Sequence, residues 1–113
     1  MLAGFIQKLV NSTSVPANEH YELVQALREK SCILIDVREP HGFRRGRIPG
    51  ALNQPLSKFD PANIAVGKPL VLICQAGGRF GKALRQALSA GLQDIRHYPG
   101  GMSGWRARGG PVA

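Results

Sequence analysis

Four short segments of the chain are rich in apolar residues and predict strands. Residues 32–37, "CILIDV", and residues 70–74, "LVLIC", are almost continuously apolar, which is typical of strands buried on both faces of a parallel sheet. Residues 51–53 form a shorter candidate between two prolines, and residues 94–98, "DIRHY", form another. The apolar pattern therefore predicts strands in all four segments.

Between these segments, apolar residues recur at helical spacing. Residues 18–30 place Leu23, Val24 and Leu27 on one side of a helix of about three turns, with charged residues on the other side. A second helix is predicted where apolar residues follow the spacing i, i+3, i+4, i+7 and i+8: Phe80, Ala83, Leu84, Ala87 and Leu88. Gly91 can end that helix in a left-handed conformation. Residues 100–112 suggest a glycine-framed turn, one short helix and a tail.

The alternation of strands and helices favours an α/β domain, with a parallel sheet flanked by helices on both faces. A chain of 113 residues suits one such domain, which we assign to residues 15–113. Residues 1–14 form an extension, in which residues 2–10 suit a short amphipathic docking helix. We find no clear signal peptide and no apolar run near the ~20 residues that cross a bilayer, so we expect a cytoplasmic protein without a membrane span.

The chain is strongly basic, with 15 Lys and Arg against 7 Asp and Glu and a net charge of +8. A small body with this charge attracts anions. Nucleic-acid binding is disfavoured, because most basic residues are scattered and aromatic residues make up only 6% of the chain. The one tight cluster, Arg44, Arg45 and Arg47, is interpreted either as a guide for anions or as a face for a protein partner.

The two cysteines, Cys32 and Cys74, are too few for a disulfide framework and suit reduced thiols. Cys32 opens its strand without a glycine loop after it, so we interpret it as structural. The three histidines share no ligand spacing with the cysteines, and we therefore predict no metal and no cofactor.

Residues 74–79, "CQAGGR", form a loop between a predicted strand and a predicted helix. Ligands of parallel sheets gather at the carboxyl ends of strands, where Cys74 lies. The glycines allow backbone N–H groups to turn inward, while the helix N-terminus, Arg79 and Lys82 add positive charge. We expect these groups to stabilise a Cys74 thiolate, which would be a nucleophile. A purely packing role for Cys74 would explain neither the glycines nor Arg79.

At these residues the chain resembles the rhodanese family of sulfurtransferases. Residues 34–56, "LIDVREPHGFRRGRIPGALNQPL", are similar to the N-terminal signature of the family, and "CQAGGR" is similar to its active-site loop. Residues 98–112, "YPGGMSGWRARGGPV", are similar to its C-terminal signature. The three segments occur in the family's order and cover almost the whole chain. The resemblance implies a rhodanese-like fold with a five-stranded, mostly parallel sheet.

The resemblance also implies a reaction. Cys74 would carry a sulfane sulfur as a persulfide, cradled by the backbone N–H groups of the loop residues Gln75, Ala76, Gly77, Gly78 and Arg79. Thiosulfate would be a donor, and the acceptor would be cyanide in vitro or a thiol or protein cysteine in the cell. Asp36 and Arg38 would support the loop, with Asp36 paired to Arg79, and Trp105 would pack the last helix.

The chain departs from the family pattern at the rim of the loop. Gln75 stands where many members have arginine, so one positive charge is missing and we expect weak thiosulfate binding. Arg47 stands where a histidine is common.

Two other functions remain as alternatives. A cysteine phosphatase of this architecture needs five residues between cysteine and arginine, whereas only four separate Cys74 from Arg79. That alternative is therefore disfavoured. A module that binds a partner protein, either without catalysis or as a sulfur relay, remains open.

Overall fold

The structure is a computed structural model that describes four stretches of the chain: residues 17–64, 67–76, 80–92 and 94–113. The side chains of residues 80–82 are not part of this description. The predicted extension at residues 1–14 lies outside the described residues, as do Gly77, Gly78 and Arg79 of the predicted loop.

A parallel sheet forms the centre of the domain. Its strands are β1 (Ile33–Asp36), β2 (Leu52–Asn53), β3 (Leu70–Ile73) and β4 (Ile95–His97). All neighbouring pairs are parallel, in the order β2-β1-β3-β4, and each strand lies within a segment that the sequence predicted. The sheet of the described residues has four strands, one fewer than expected. A single parallel bridge joins Ala17 to His97 beyond the β4 edge.

Four helices are described: α1 (His20–Glu29), α2 (Pro40–Arg45), α3 (Phe80–Ser89) and α4 (Gly101–Ala107), with short 3-10 turns at Leu56–Lys58 and Pro61–Asn63. The helix α2 was not predicted, because its segment "PHGFRR" has no apolar periodicity. Its start has a local cause, because Pro40 occupies the first turn, where a missing N–H costs nothing. Within the described stretches, none of the helices combines the length and apolar character of a membrane span.

Alternate residues of the sheet are buried against opposite helical layers. Leu34, Val71 and Ile73 pack with Leu23 of α1 and with residues of α4. The other face of the sheet packs against α3 and the 3-10 turns, through residues that include Ile35, Leu70, Leu72, Ala83, Leu84 and Ala87. The prediction of helices on both faces is therefore confirmed.

One residue of the predicted apolar stripe on α3 is not buried. Leu88 is 51% exposed, whereas Ala83, Leu84 and Ala87 are 0–4% exposed. At about 100° of rotation per residue, Leu88 lies roughly 90° around the helix from the centre of the buried stripe. The prediction for Leu88 was wrong because the i+8 position reaches the edge of the stripe.

Candidate active site

Cys74 directly follows β3, at the carboxyl edge of the sheet. The residue is only 2% exposed. It nevertheless lines a cavity of about 480 Å³, together with Val37, Arg38, Glu39, His41, Gly42, Arg45, Leu56, Gln75 and Arg106. Cys74 is thus buried in the domain but borders a space large enough for a small-molecule anion.

The backbone that begins the predicted cradle is tied to α4. The N–H of Met102 donates to the carbonyl oxygen of Cys74 at 2.8 Å, and the N–H of Ser103 donates to that of Gln75 at 3.0 Å. In a trans peptide the following N–H points opposite to the carbonyl. The N–H groups of Gln75 and Ala76 therefore point away from α4.

Gly101 makes this close approach between α4 and the loop possible. Its φ is +61°, and a Cβ there would lie 2.7 Å from the carbonyl oxygen of Cys74 and 2.8 Å from that of Gln75. Any side chain at this position would push the loop out of place. The sequence pattern suggested a glycine-framed turn within residues 100–112, but this contact with the loop was not foreseen.

We expect Gly101→Ala to lower the free energy of unfolding by about 2–4 kcal/mol, from left-handed strain and overpacking together. The matched control is Gly109→Ala, whose φ is +75° with no atom within 4 Å of the added Cβ. The control should lose only the strain, about 1–2 kcal/mol. Urea unfolding of both variants measures the difference, and equal losses would contradict the proposed contact.

Asp36 and Arg38 form a buried ion pair beside Cys74. The Asp36 carboxylate accepts hydrogen bonds from the backbone N–H, Nε and Nη2 of Arg38, at 2.8–3.1 Å. Arg38 Nη2 also donates to the carbonyl oxygen of Gly46 at 2.7 Å. The predicted partner of Asp36 was Arg79, which lies outside the described residues. The ion-pair partner that the structure describes is Arg38.

Gln75 bridges Arg38 and α4 across the start of the loop. Arg38 Nη1 donates to Gln75 Oε1 at 3.4 Å, and Gln75 Nε2 donates to Ser103 Oγ at 3.1 Å. An amide can do both because it carries an acceptor and a donor. Arginine has no acceptor, so it could not receive the bond from Arg38.

Asn53 fixes the turn after β1, a role that the sequence analysis missed. Its Nδ2 donates to the carbonyl oxygens of Asp36 at 2.9 Å and Arg38 at 2.8 Å. The only signal in the sequence was a polar residue at the end of a short strand. Its two acceptors lie 17 residues away on the neighbouring strand and 15 residues away on the turn that follows it.

The cavity lining is rich in positive charge. Arg38, Arg45 and Arg106 contribute guanidinium groups, whereas Glu39 is the one acidic residue among the described residues of the lining. A 2.6 Å hydrogen bond from Ser57 Oγ lowers the pKa of Glu39 and keeps it ionised. Arg106 was not among the predicted site residues, because it is remote in the chain from Cys74.

The three arginines of the basic cluster, Arg44, Arg45 and Arg47, lie in different surroundings in the structure. Arg45 lines the cavity, whereas Arg47 lies with its guanidinium carbon 5.0 Å from the centre of the Phe43 ring. Arg44 is exposed and does not contribute to the lining. Only one member of the cluster therefore borders the space next to Cys74.

Cys32 lies outside this site, just before β1, and packs against the core face that contains α1 and α4. Burial raises the pKa of its thiol, and the positive charge of Lys68 partly opposes that shift. A thiol that stays protonated at neutral pH is a poor nucleophile.

The histidines lie apart from each other. His20 Nδ1 is 2.9 Å from the hydroxyl of Tyr98, His97 is buried at the end of β4, and His41 lines the cavity. Across the described stretches, no three His, Cys, Asp or Glu residues group closely enough to hold a metal ion.

The comparisons with known proteins agree with the resemblance. The rhodanese-like domain family matches residues 19–108. Thiosulfate sulfurtransferase GlpE of Pseudomonas savastanoi is 34% identical over 76% of this chain and 83% of its own length. The human single-domain sulfurtransferase TSTD1 superposes with a TM-score of 0.74 and 30% identity, over 84% of this chain and 98% of that structure.

Another relative is longer than this chain. An uncharacterized protein of Synechocystis sp. is 39% identical over 107 residues, which are 92% of this chain. The chain spans only 60% of the length of that relative.

Proposed function

Because this chain belongs to the rhodanese-like family, we propose that it is a sulfurtransferase that moves a sulfane sulfur through a persulfide on Cys74. The observation that carries the proposal is the position of Cys74, at the carboxyl end of β3 and in the lining of a cavity that Arg38, Arg45 and Arg106 also line. A site that takes sulfur from an anionic donor needs a thiol nucleophile and a space that attracts anions, and this site has both.

In the first half-reaction the Cys74 thiolate attacks the outer sulfur of thiosulfate. A new S–S bond forms to Cys74, the S–S bond of thiosulfate breaks, and sulfite leaves with the bonding electron pair. The enzyme then holds the anion Cys74–S–S⁻. In this proposal, backbone N–H groups of the loop, beginning with those of Gln75 and Ala76, would stabilise this charge in the way that an oxyanion hole does.

In the second half-reaction a nucleophile takes the outer sulfur. Cyanide becomes thiocyanate, and a thiolate becomes a persulfide, while the electron pair of the broken S–S bond returns to Cys74 as a thiolate. The covalent intermediate separates the two half-reactions, so ping-pong kinetics follow. The physiological acceptor in this proposal is a thiol, either of a small molecule or of a protein cysteine.

The test starts with the full chain and thiosulfate. We expect the intact mass to increase by one sulfur atom per chain, with release of sulfite, and to return to its starting value when cyanide is added. The mass increase should be located on the peptide that contains Cys74.

The products distinguish the alternatives. Continuous thiocyanate formation supports an enzyme with small-molecule substrates, whereas loading of Cys74 without turnover supports a relay to a protein partner. Absence of any mass increase would contradict sulfur transfer and leave a non-catalytic binding module.

A further inference from the structure

Among the described residues, three arginines line the cavity, and one of them is already engaged by other groups. The Nε and Nη2 groups of Arg38 bind the Asp36 carboxylate, and its Nη1 group binds Gln75. Arg45 and Arg106 are exposed, and among the described residues neither forms an ion pair. These two side chains therefore keep their charge and donors available to a ligand.

The acidic residue of the lining does not neutralise them. Both oxygens of Glu39 are engaged by Ser57, through a 2.6 Å bond from its hydroxyl and a 3.3 Å bond from its backbone N–H. Glu39 forms no ion pair with Arg45 or Arg106 within the described part of the chain. Glu39 keeps its negative charge, but Arg45 and Arg106 carry two positive charges against it, so the described lining remains positive.

The absence of a side chain at Gly46 leaves room for the guanidinium group of Arg106. A Cβ on residue 46 would collide with Nη2 of Arg106 and would lie 2.9 Å from Val112. The guanidinium of Arg106 therefore packs on the bare backbone of Gly46, whose carbonyl oxygen is held by Arg38. Arg106 is thus held next to the Asp36–Arg38 pair, on the border of the space that Cys74 also lines.

We infer that Arg45 and Arg106 bind the oxyanion end of the sulfur donor and set the preference of the site for anionic donors. This inference rests on the proposed function and deepens it. When the outer sulfur of thiosulfate meets Cys74, its three oxygens point away from the thiolate, into the cavity. Guanidinium groups bind such oxygens with paired, charge-assisted hydrogen bonds.

The first test measures the kinetics of thiocyanate formation in charge-matched variants. Arg106→Gln and Arg45→Gln should each raise KM for thiosulfate about fivefold to tenfold, with kcat changed less than about twofold. Arg108→Gln and Arg44→Gln remove the same charge from residues that do not line the cavity. The controls should change KM less than about twofold. Equal effects in all four variants would overturn the inference.

The second test needs no sulfur transfer. Iodoacetate and iodoacetamide both alkylate a thiolate with loss of iodide, but only iodoacetate is an anion. The ratio of their rates at Cys74, measured by peptide mass spectrometry, should fall about fivefold in Arg106→Gln and Arg45→Gln and stay unchanged in the controls.

The two tests separate the two claims. If Cys74 takes no sulfur from thiosulfate but the alkylation ratio falls as expected, the proposed function fails and the anion-binding role stands. If sulfur loads normally while the ratio and KM are unchanged in Arg106→Gln and Arg45→Gln, the anion-binding role is wrong and the proposed function stands.

Discussion

Replacing Cys74 by serine is expected to abolish sulfur loading and to reduce thiocyanate formation to the level without protein. A serine hydroxyl is not ionised near neutral pH, and an oxygen atom cannot carry the persulfide of the proposed reaction. The substitution keeps the shape of the side chain, so the domain should still fold, at a cost of about 1–3 kcal/mol for a buried hydroxyl. Circular dichroism checks the fold, and intact mass after thiosulfate checks the loading.

The matched control is Cys32→Ser, which removes the other thiol. Burial raises the pKa of Cys32, so this residue should contribute no nucleophile at neutral pH, and the variant should load sulfur like the parent protein. Normal loading of Cys74→Ser, or loss of loading in Cys32→Ser, would show that the persulfide does not form on Cys74 as proposed and would contradict the mechanism.

The second large effect is expected from Asp36→Ala, which should lower the free energy of unfolding by about 3–5 kcal/mol. Asp36 is fully buried, and the Arg38 side chain is only 9% exposed. Removing the carboxylate leaves a buried guanidinium without its counter-ion and loses the hydrogen bonds that this carboxylate accepts from Arg38. Sulfur transfer should also fall, because Arg38 is the residue that contacts Gln75 at the loop. Denaturant unfolding and thiocyanate formation measure the two losses.

Two further variants show whether the unpaired charge of Arg38 causes the loss of stability in Asp36→Ala. Arg96→Gln breaks an exposed ion pair with Glu22, 3.9 Å long, and should cost less than about 1 kcal/mol. The double variant Asp36→Ala/Arg38→Met removes both charges and should recover much of the stability that Asp36→Ala loses. A loss in Asp36→Ala no larger than in Arg96→Gln would show that the buried pair does not stabilise the domain.

Much of the fold could be predicted because it depends on local patterns. Residues 33–35 and 70–73 are apolar because both faces of a central parallel strand are covered, and the structure has β1 and β3 there. The turn at Gly91 was also predicted, and the residue has a φ of +88°. The helix α2 was missed, because its six residues include one histidine and two arginines and show no apolar periodicity.

The candidate site was predictable only in part. The place of Cys74 after a buried strand follows from residues 70–79 alone. The approach of Gly101 to Cys74 does not, since the two residues are far apart in the chain and meet only when β3 and β4 pair. The role of Arg106 could not be predicted either, because a basic residue in a short helix gives no local sign that it borders a cavity.

The amino-acid sequence by itself determined the order of the four strands and of the helices α1, α3 and α4, and the position of the thiol at a strand end, because these follow from apolar periodicity and from neighbours along the chain. Only the tertiary structure decided which groups surround that thiol. Asp36 is bound by Arg38, the carbonyl oxygen of Cys74 by Met102, and Arg106 packs on Gly46. The last two contacts join residues that are distant in sequence, so the packing of the sheet against its helices sets their geometry.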